Sequence, residues 1–362
     1  MKHLAFAFAI SLSAASVAAL PQAANAQGRS LPIFEVDKNW PKVPANVKVG
    51  DVSSIAIDAK DDAWVLSRPR TLKGDDLKRA APPIMIFDPQ GNYVRGWGGN
   101  GQGYEWPERE HGITIDYKGF VWLGGNSCPT NGLPGLRPVA DDQLLKFTQD
   151  GKFVMQIGHS NQSKGNADTG NLHRPADVQI DPQTDELFVA DGYGNHRVAV
   201  FDANTGKFKR LWGAFGNKPA DADSCAIINY KEFSDPGRPQ FSVVHAIRVA
   251  KDGMVYVADR ENRRVQMFDR NGKFIKQLMK GDAIFARNLA FSPDADQQFL
   301  YTGYNKGIAV IDRKTLEYLG TIQPPGVLGA GHHIQTDSKG NLYIAQTGAG
   351  MQRLLFKGMS KS

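Results

Sequence analysis

The sequence predicts an all-β chain folded as a six-bladed β-propeller whose ring is closed by strands from both termini. Three observations carry this expectation. A two-strand unit recurs six times, a second pair of strands follows most copies, and one strand is left over at the N-terminal end.

The two-strand units read SSIAIDAKDDAWVLSR (53–68), HGITIDYKGFVWLGGN (111–126), ADVQIDPQTDELFVADGY (176–193), HAIRVAKDGMVYVADR (245–260), RNLAFSPDADQQFLYTGYN (287–305) and HHIQTDSKGNLYIAQT (332–347). Apolar and polar residues alternate within each run, as in half-buried strands. Asp, Asn and Gly between the runs mark tight turns. The third and fourth strands follow as IMIFDPQGNYVRGW, LLKFTQDGKFVMQIG, VAVFDANTGKFKRLWG, VQMFDRNGKFIKQLM and IAVIDRKTLEYLGTI. These are repeats of the NHL type. The sixth unit ends after MQRLLFKG (351–358) and lacks a fourth strand, which LPIFEVDKNW (31–40) can supply. Closure by both termini removes exposed sheet edges. The expected organisation is one propeller domain over 27–362.

Residues 1–26 read as a signal peptide: a charged start at Lys2, an apolar run from Leu4, and Ala24-Asn25-Ala26 as the cleavage site. No later stretch approaches the roughly 18 apolar residues of a membrane span. An exported protein of the periplasm or extracellular space is therefore expected, without membrane insertion. The net charge is +6, but Lys and Arg are scattered, which argues against a nucleic-acid partner. The expected state is a monomer. Of two cysteines, Cys128 and Cys225, both should lie at one end of the ring, where an oxidising compartment permits a bridge.

Aligning the inner strands on their first apolar residue, then stepping back two, gives Ser53, His111, Ala176, His245, Arg287 and His332. The histidines fall on alternate blades, so three imidazoles should face the channel axis from three sides. Three neutral nitrogen donors with an open fourth position suit a catalytic zinc. The far ends of the second strands return to this face and bring Arg68, Asn126, Tyr193, Arg260 and Asn305. Two arginines beside a metal point to a small-molecule or peptide substrate carrying a carboxylate. Tyr193 is the candidate proton acceptor. A metal-dependent lactonase or esterase on the same face, and a non-catalytic NHL binding module, are the alternative readings.

HGITIDYKGFVWL, RPADVQIDPQTDELFVADGYGNHRVAVF, FSVVHAIRVAKDGMVYVADRENRRVQMF and the final HHI resemble the peptidyl-α-hydroxyglycine α-amidating lyase family. The resemblance implies zinc on His111, His245 and His332, a catalytic Tyr193, and active-site arginines Arg68 and Arg260; Asn126, from its strand-end position, is a further candidate for substrate contact. The implied reaction breaks the N–C bond of a carbinolamide to give a primary amide and glyoxylate. The family also holds a channel calcium through an acidic residue that is His333 here, with the carbonyls of Ile55 and Ile113. The lost carboxylate argues against calcium. The two cysteines do not match the family's disulfide positions. No copper monooxygenase domain precedes the propeller, so peptide amidation itself is not the expected role.

Overall fold

Alternating strands with apolar residues on both faces form sheets that must be covered on both sides, and radial stacking provides that cover. In the computed structural model the chain forms six four-stranded antiparallel sheets. The described residues are 29–130, 135–220, 225, 227, 231, 233–281 and 284–361, so the expected signal peptide lies outside them.

Blade one is built from Asp51–Ile57, Ala63–Arg68, Ile84–Phe87 and Tyr93–Trp97, numbered outward from the axis. Its second strand is buried along its whole length, while its fourth is largely accessible. Blades two to five repeat the pattern in chain order. In blade six the N-terminal strand Pro32–Val36 lies antiparallel to Gly350–Met359, with Phe34 opposite Phe356 and Val36 opposite Leu354. The strand left over in the sequence therefore completes the last blade and closes the ring.

Apolar clusters fill each interface between neighbouring blades. Trp64, Ile86, Ile113, Leu123 and Phe147 pack between blades one and two, and Ala290, Tyr301, Ile308, Ile334 and Ile344 between blades five and six. Full burial of each large apolar side chain is worth about 1.5–3 kcal/mol, so the ring is held chiefly by these interfaces. The hairpin aspartates add local order. Asp58 and Asp116 each accept two backbone N–H groups of their turn and the indole N–H of Trp64 or Trp122 on the next strand.

Blades three and four are also joined by the ion pair of Arg270 with Asp181 at 2.6 Å and by Arg210. Glu186 accepts Lys209 Nζ at 2.9 Å and both terminal nitrogens of Arg210 at 2.8 and 2.6 Å, and Arg210 reaches the Arg270 carbonyl in blade four. The Arg210 fork holds the Glu186 carboxyl down from 4.5 to about 2. A depressed carboxylate stabilises the fold above its unfolded value, and that contribution fades as pH falls toward its folded value. Glu186→Gln is therefore expected to lower stability by about 1–2 kcal/mol near pH 7. Melting curves of the two proteins should converge as pH falls from about 5 to about 2. A difference that persists unchanged to acid would remove the ion pair as its source.

The inner strands carry the feature that makes the site. In blade two Glu110 faces Gly125 while Gly112 faces Gly124, so His111 is an extra residue in the ladder. His245 is the extra residue in blade four, and Ser53 in blade one. In blades three and six the amides of Ala176 and His332 donate to Ala190 and Ala345, the residues that also pair with Asp177 and His333. In blade five the irregularity is wider and spans 286–289, which includes Arg287. Every blade thus has a bulge at the same level. A bulged residue leaves the period-two alternation, and its side chain is re-aimed.

Candidate metal centre

The bulges bring His111, His245 and His332 together. Their ligand atoms all lie within 4.8 Å of one another, and all three residues are buried. Each Nδ1 hydrogen-bonds to a backbone carbonyl of the next blade at the same level. His111 reaches Ala176 O at 2.8 Å, His332 reaches Ser53 O at 2.6 Å, and His245 reaches Arg287 O. A carbonyl only accepts, so each Nδ1 carries the proton and each Nε2 keeps its lone pair. Burial, followed by the neighbouring histidines and arginines, pushes all three imidazoles well below the usual histidine value. They are neutral at neutral pH, as ligands must be.

Tyr193 stands over the triad. Its Oη lies 2.9 Å from His111 Nε2 and 3.1 Å from His245 Nε2, and accepts Arg260 Nη1 at 2.8 Å. One phenolic proton cannot serve two acceptor nitrogens at once. Two acceptor nitrogens therefore compete for one proton, and three neutral imidazoles are a donor set that fits a divalent, imidazole-binding cation.

The loop that presents Tyr193 is shaped by two glycines. A Cβ on Gly192 would lie 2.2 Å from the backbone of Val244, and one on Gly194 would lie 1.3 Å from the His173 ring. Only glycine lets the loop pass this close to its neighbours. Behind it, Asp191 holds Asn195, Arg197 and the His173 amide, and the Asp191–Arg197 pair is fully buried. Blade four repeats the device beneath Arg260, where Asp259 holds Asn262, Arg264 and the Ser242 amide. These residues support the loops and do not line the site. Their spacing, an Asp followed by Asn and then Arg after the second strand, is visible in DGYGNHR and ADRENRR. Its supporting role becomes evident only once the hydrogen bonds are seen.

Arg260 Nε is fixed by Glu261 at 2.6 Å. Arg68 is 4 % exposed; its Nε donates to Glu110 O and its Nη1 to Asp51, each at 2.8 Å. Neither arginine spends Nη2 in these bonds. Asn126 is buried just past its strand, its backbone N–H donating to the Arg109 carbonyl and its side-chain Oδ1 without a hydrogen-bond partner. No hydrogen bond among the described residues joins Asn126 to the histidines.

His333 lies one residue deeper. Its Nδ1 pairs with Ser54 Oγ at 2.6 Å, while its Nε2 is buried without a partner. Burial lowers it to about 4, so it is a neutral imidazole. The nearby Asp177 carboxylate is engaged by Arg248 and the Ile247 amide. A neutral imidazole in place of a carboxylate does not fit the oxygen-ligated site that calcium requires.

Cys128 and Cys225 are joined in a disulfide, their Cα atoms 5.9 Å apart. The bridge ties the loop after Asn126 to the connection between blades three and four. It is compatible with an exported protein. No helix among the described residues is long and apolar enough to cross a membrane.

Comparison with known proteins follows the same lines. The NHL repeat family model matches residues 172–201, which include Tyr193. Peptidyl-glycine alpha-amidating monooxygenase A of Xenopus laevis is 30% identical over 276 residues, covering 71% of this chain and 26% of the relative. Peptidyl-alpha-hydroxyglycine alpha-amidating lyase 2 of Drosophila melanogaster is 25% identical, covering 65% of this chain and 51% of the relative. NHL repeat-containing protein 3 of Homo sapiens is 22% identical over 88% of this chain and 82% of its own length. The chain spans about a quarter of the length of the amidating monooxygenases it matches. Among solved structures, the WD40 beta propeller domain of Doa1 superposes with a TM-score of 0.51 at 11% identity, covering 92% of this chain and 98% of that one, which shows the propeller fold.

Proposed function

The chain resembles the peptidyl-α-hydroxyglycine α-amidating lyase family, and on that premise we propose that it is an exported, metal-dependent carbon–nitrogen lyase. Its substrate class is the α-hydroxyglycine-type carbinolamide, R–CO–NH–CH(OH)–COO⁻, and its products are a primary amide and glyoxylate. The observation that carries this reading is the Tyr193 oxygen, which meets His111 Nε2, His245 Nε2 and Arg260 Nη1 at 2.9, 3.1 and 2.8 Å. A candidate proton acceptor, two of the three candidate ligands and a cation thus meet at one oxygen.

His111, His245 and His332 would hold a zinc ion, which supplies Lewis acidity to a substrate hydroxyl when bound. Once deprotonated, Tyr193 takes the proton of the α-hydroxyl. The electrons of that O–H bond become the second bond of the aldehyde C=O, and the C–N bond breaks. The departing nitrogen takes the proton back from Tyr193 Oη, so the tyrosine is restored and no other reactant is needed. Arg260 faces the phenolic oxygen throughout and offsets the negative charge that oxygen carries when deprotonated. Arg68 and Arg260 orient the substrate carboxylate through their remaining N–H groups, and Asn126 supplies a polar wall.

The test is to offer α-hydroxyhippurate to the metal-loaded protein and assay benzamide and glyoxylate. Equimolar formation of both is expected. Intact α-hydroxyhippurate together with lactone hydrolysis would favour a metal-dependent hydrolase. No metal uptake in excess zinc would leave a binding module.

A further inference from the structure

The cations of the metal face are unevenly paired. Arg68 has Asp51 and Arg260 has Glu261. Arg287 has no carboxylate within ion-pair distance among the described residues, and its Nε is buried without a hydrogen-bond partner. Its position is fixed nonetheless. Its carbonyl accepts the His245 Nδ1 proton, and its guanidinium lies 5.1 Å from the Phe285 ring. Phe285 carries Arg263 as well, 4.6 Å from its ring. A guanidinium held by stacking and left without an acceptor is poised for an anion from outside the protein.

Arg287 also lines a pocket of about 340 Å³ between blades five and six, with Asn305, Lys306, Gln346 and Thr347. Its wall includes Gly329 and Ala330, the segment that leads into His332. The lining holds two cationic side chains, Arg287 and Lys306, and no acidic one. A partly desolvated guanidinium without counter-charge is costly unless a ligand supplies it.

We propose that this pocket is a second anion subsite, with Arg287 as a specificity-determining residue for a carboxylate on the acyl side of the substrate. This rests on the lyase reading, in which Arg68 and Arg260 take the carboxylate of the hydroxyglycine unit. The substrate class is then narrower: an N-acyl α-hydroxyglycine whose acyl group ends in a second acid.

Two measurements test it. The first compares kcat/KM for α-hydroxyhippurate and for its analogue with a carboxylate para on the benzoyl ring. The wild-type protein is expected to prefer the diacid by about tenfold or more. Arg287→Gln should bring the ratio near one, Arg287→Lys should retain part of it, and Lys306→Gln, at the exposed rim, should lower it by a smaller factor. The second measurement needs no turnover: calorimetric titration with benzamide and with 4-carboxybenzamide. Tighter binding of the acid, lost in Arg287→Gln, supports the subsite even where neither substrate is cleaved and the lyase reading has failed. Equal binding of the two amides by the wild-type protein, or a preference that survives both Arg287→Gln and Lys306→Gln, overturns it.

Discussion

Tyr193→Phe is expected to lower lyase turnover by about 10²–10⁴-fold while metal remains bound in the same amount. The substitution removes one oxygen and leaves the ring, which packs 4.9 Å from the His111 ring and 5.6 Å from that of His245. The histidines keep their Nδ1 partners in the neighbouring blades, so the triad does not depend on the hydroxyl for its orientation. Arg260 does lose an acceptor, at a cost of about 1–3 kcal/mol in stability. Turnover and metal content should be measured alongside a melting curve. Unchanged turnover would remove Tyr193 from the proton-transfer role. Lost metal would mean instead that the tyrosine oxygen helps to hold the ion.

The second large effect is on metal binding. His245→Ala is expected to weaken it by more than about 100-fold, because even partners behind a ligand are typically worth 10- to 100-fold in affinity. It leaves two imidazoles and a void beneath Tyr193. The fold should survive, since the inner strand of blade four is also fixed by apolar packing through Ala246 and Ile247. Elemental analysis after dialysis against a competing chelator reads the effect directly. A His245→Ala protein that retains metal as the wild type does would exclude these histidines as the ligand set. His333 offers a control. It is buried beside the triad, but its Nδ1 pairs with Ser54, not with a carbonyl of the triad's ring.

The propeller is legible in the chain because its determinants are local. Alternation with a period of two marks each strand, Asp-containing turns mark each hairpin, and the missing fourth strand of blade six points to the N-terminal segment that fills it. The level of the histidines is legible for the same reason, since equivalent positions in successive repeats occupy equivalent places in the ring. What the repeat cannot encode is the count of residues opposing each other across a ladder. The bulges that turn His111 and His245 off the alternation exist only in the pairing of one strand with the next.

The protonation pattern is further from local reach. It depends on the carbonyls of Ala176, Arg287 and Ser53, and the last of these lies 279 residues from the histidine it orients. These three positions share the histidines' register in the repeat, but side-chain chemistry gives them no role, because a carbonyl is present at every residue. The lack of a carboxylate partner for Arg287 among the described residues is of the same kind. An arginine in a sequence carries no sign of whether a carboxylate will meet it, and that depends on which blades the closed ring places side by side.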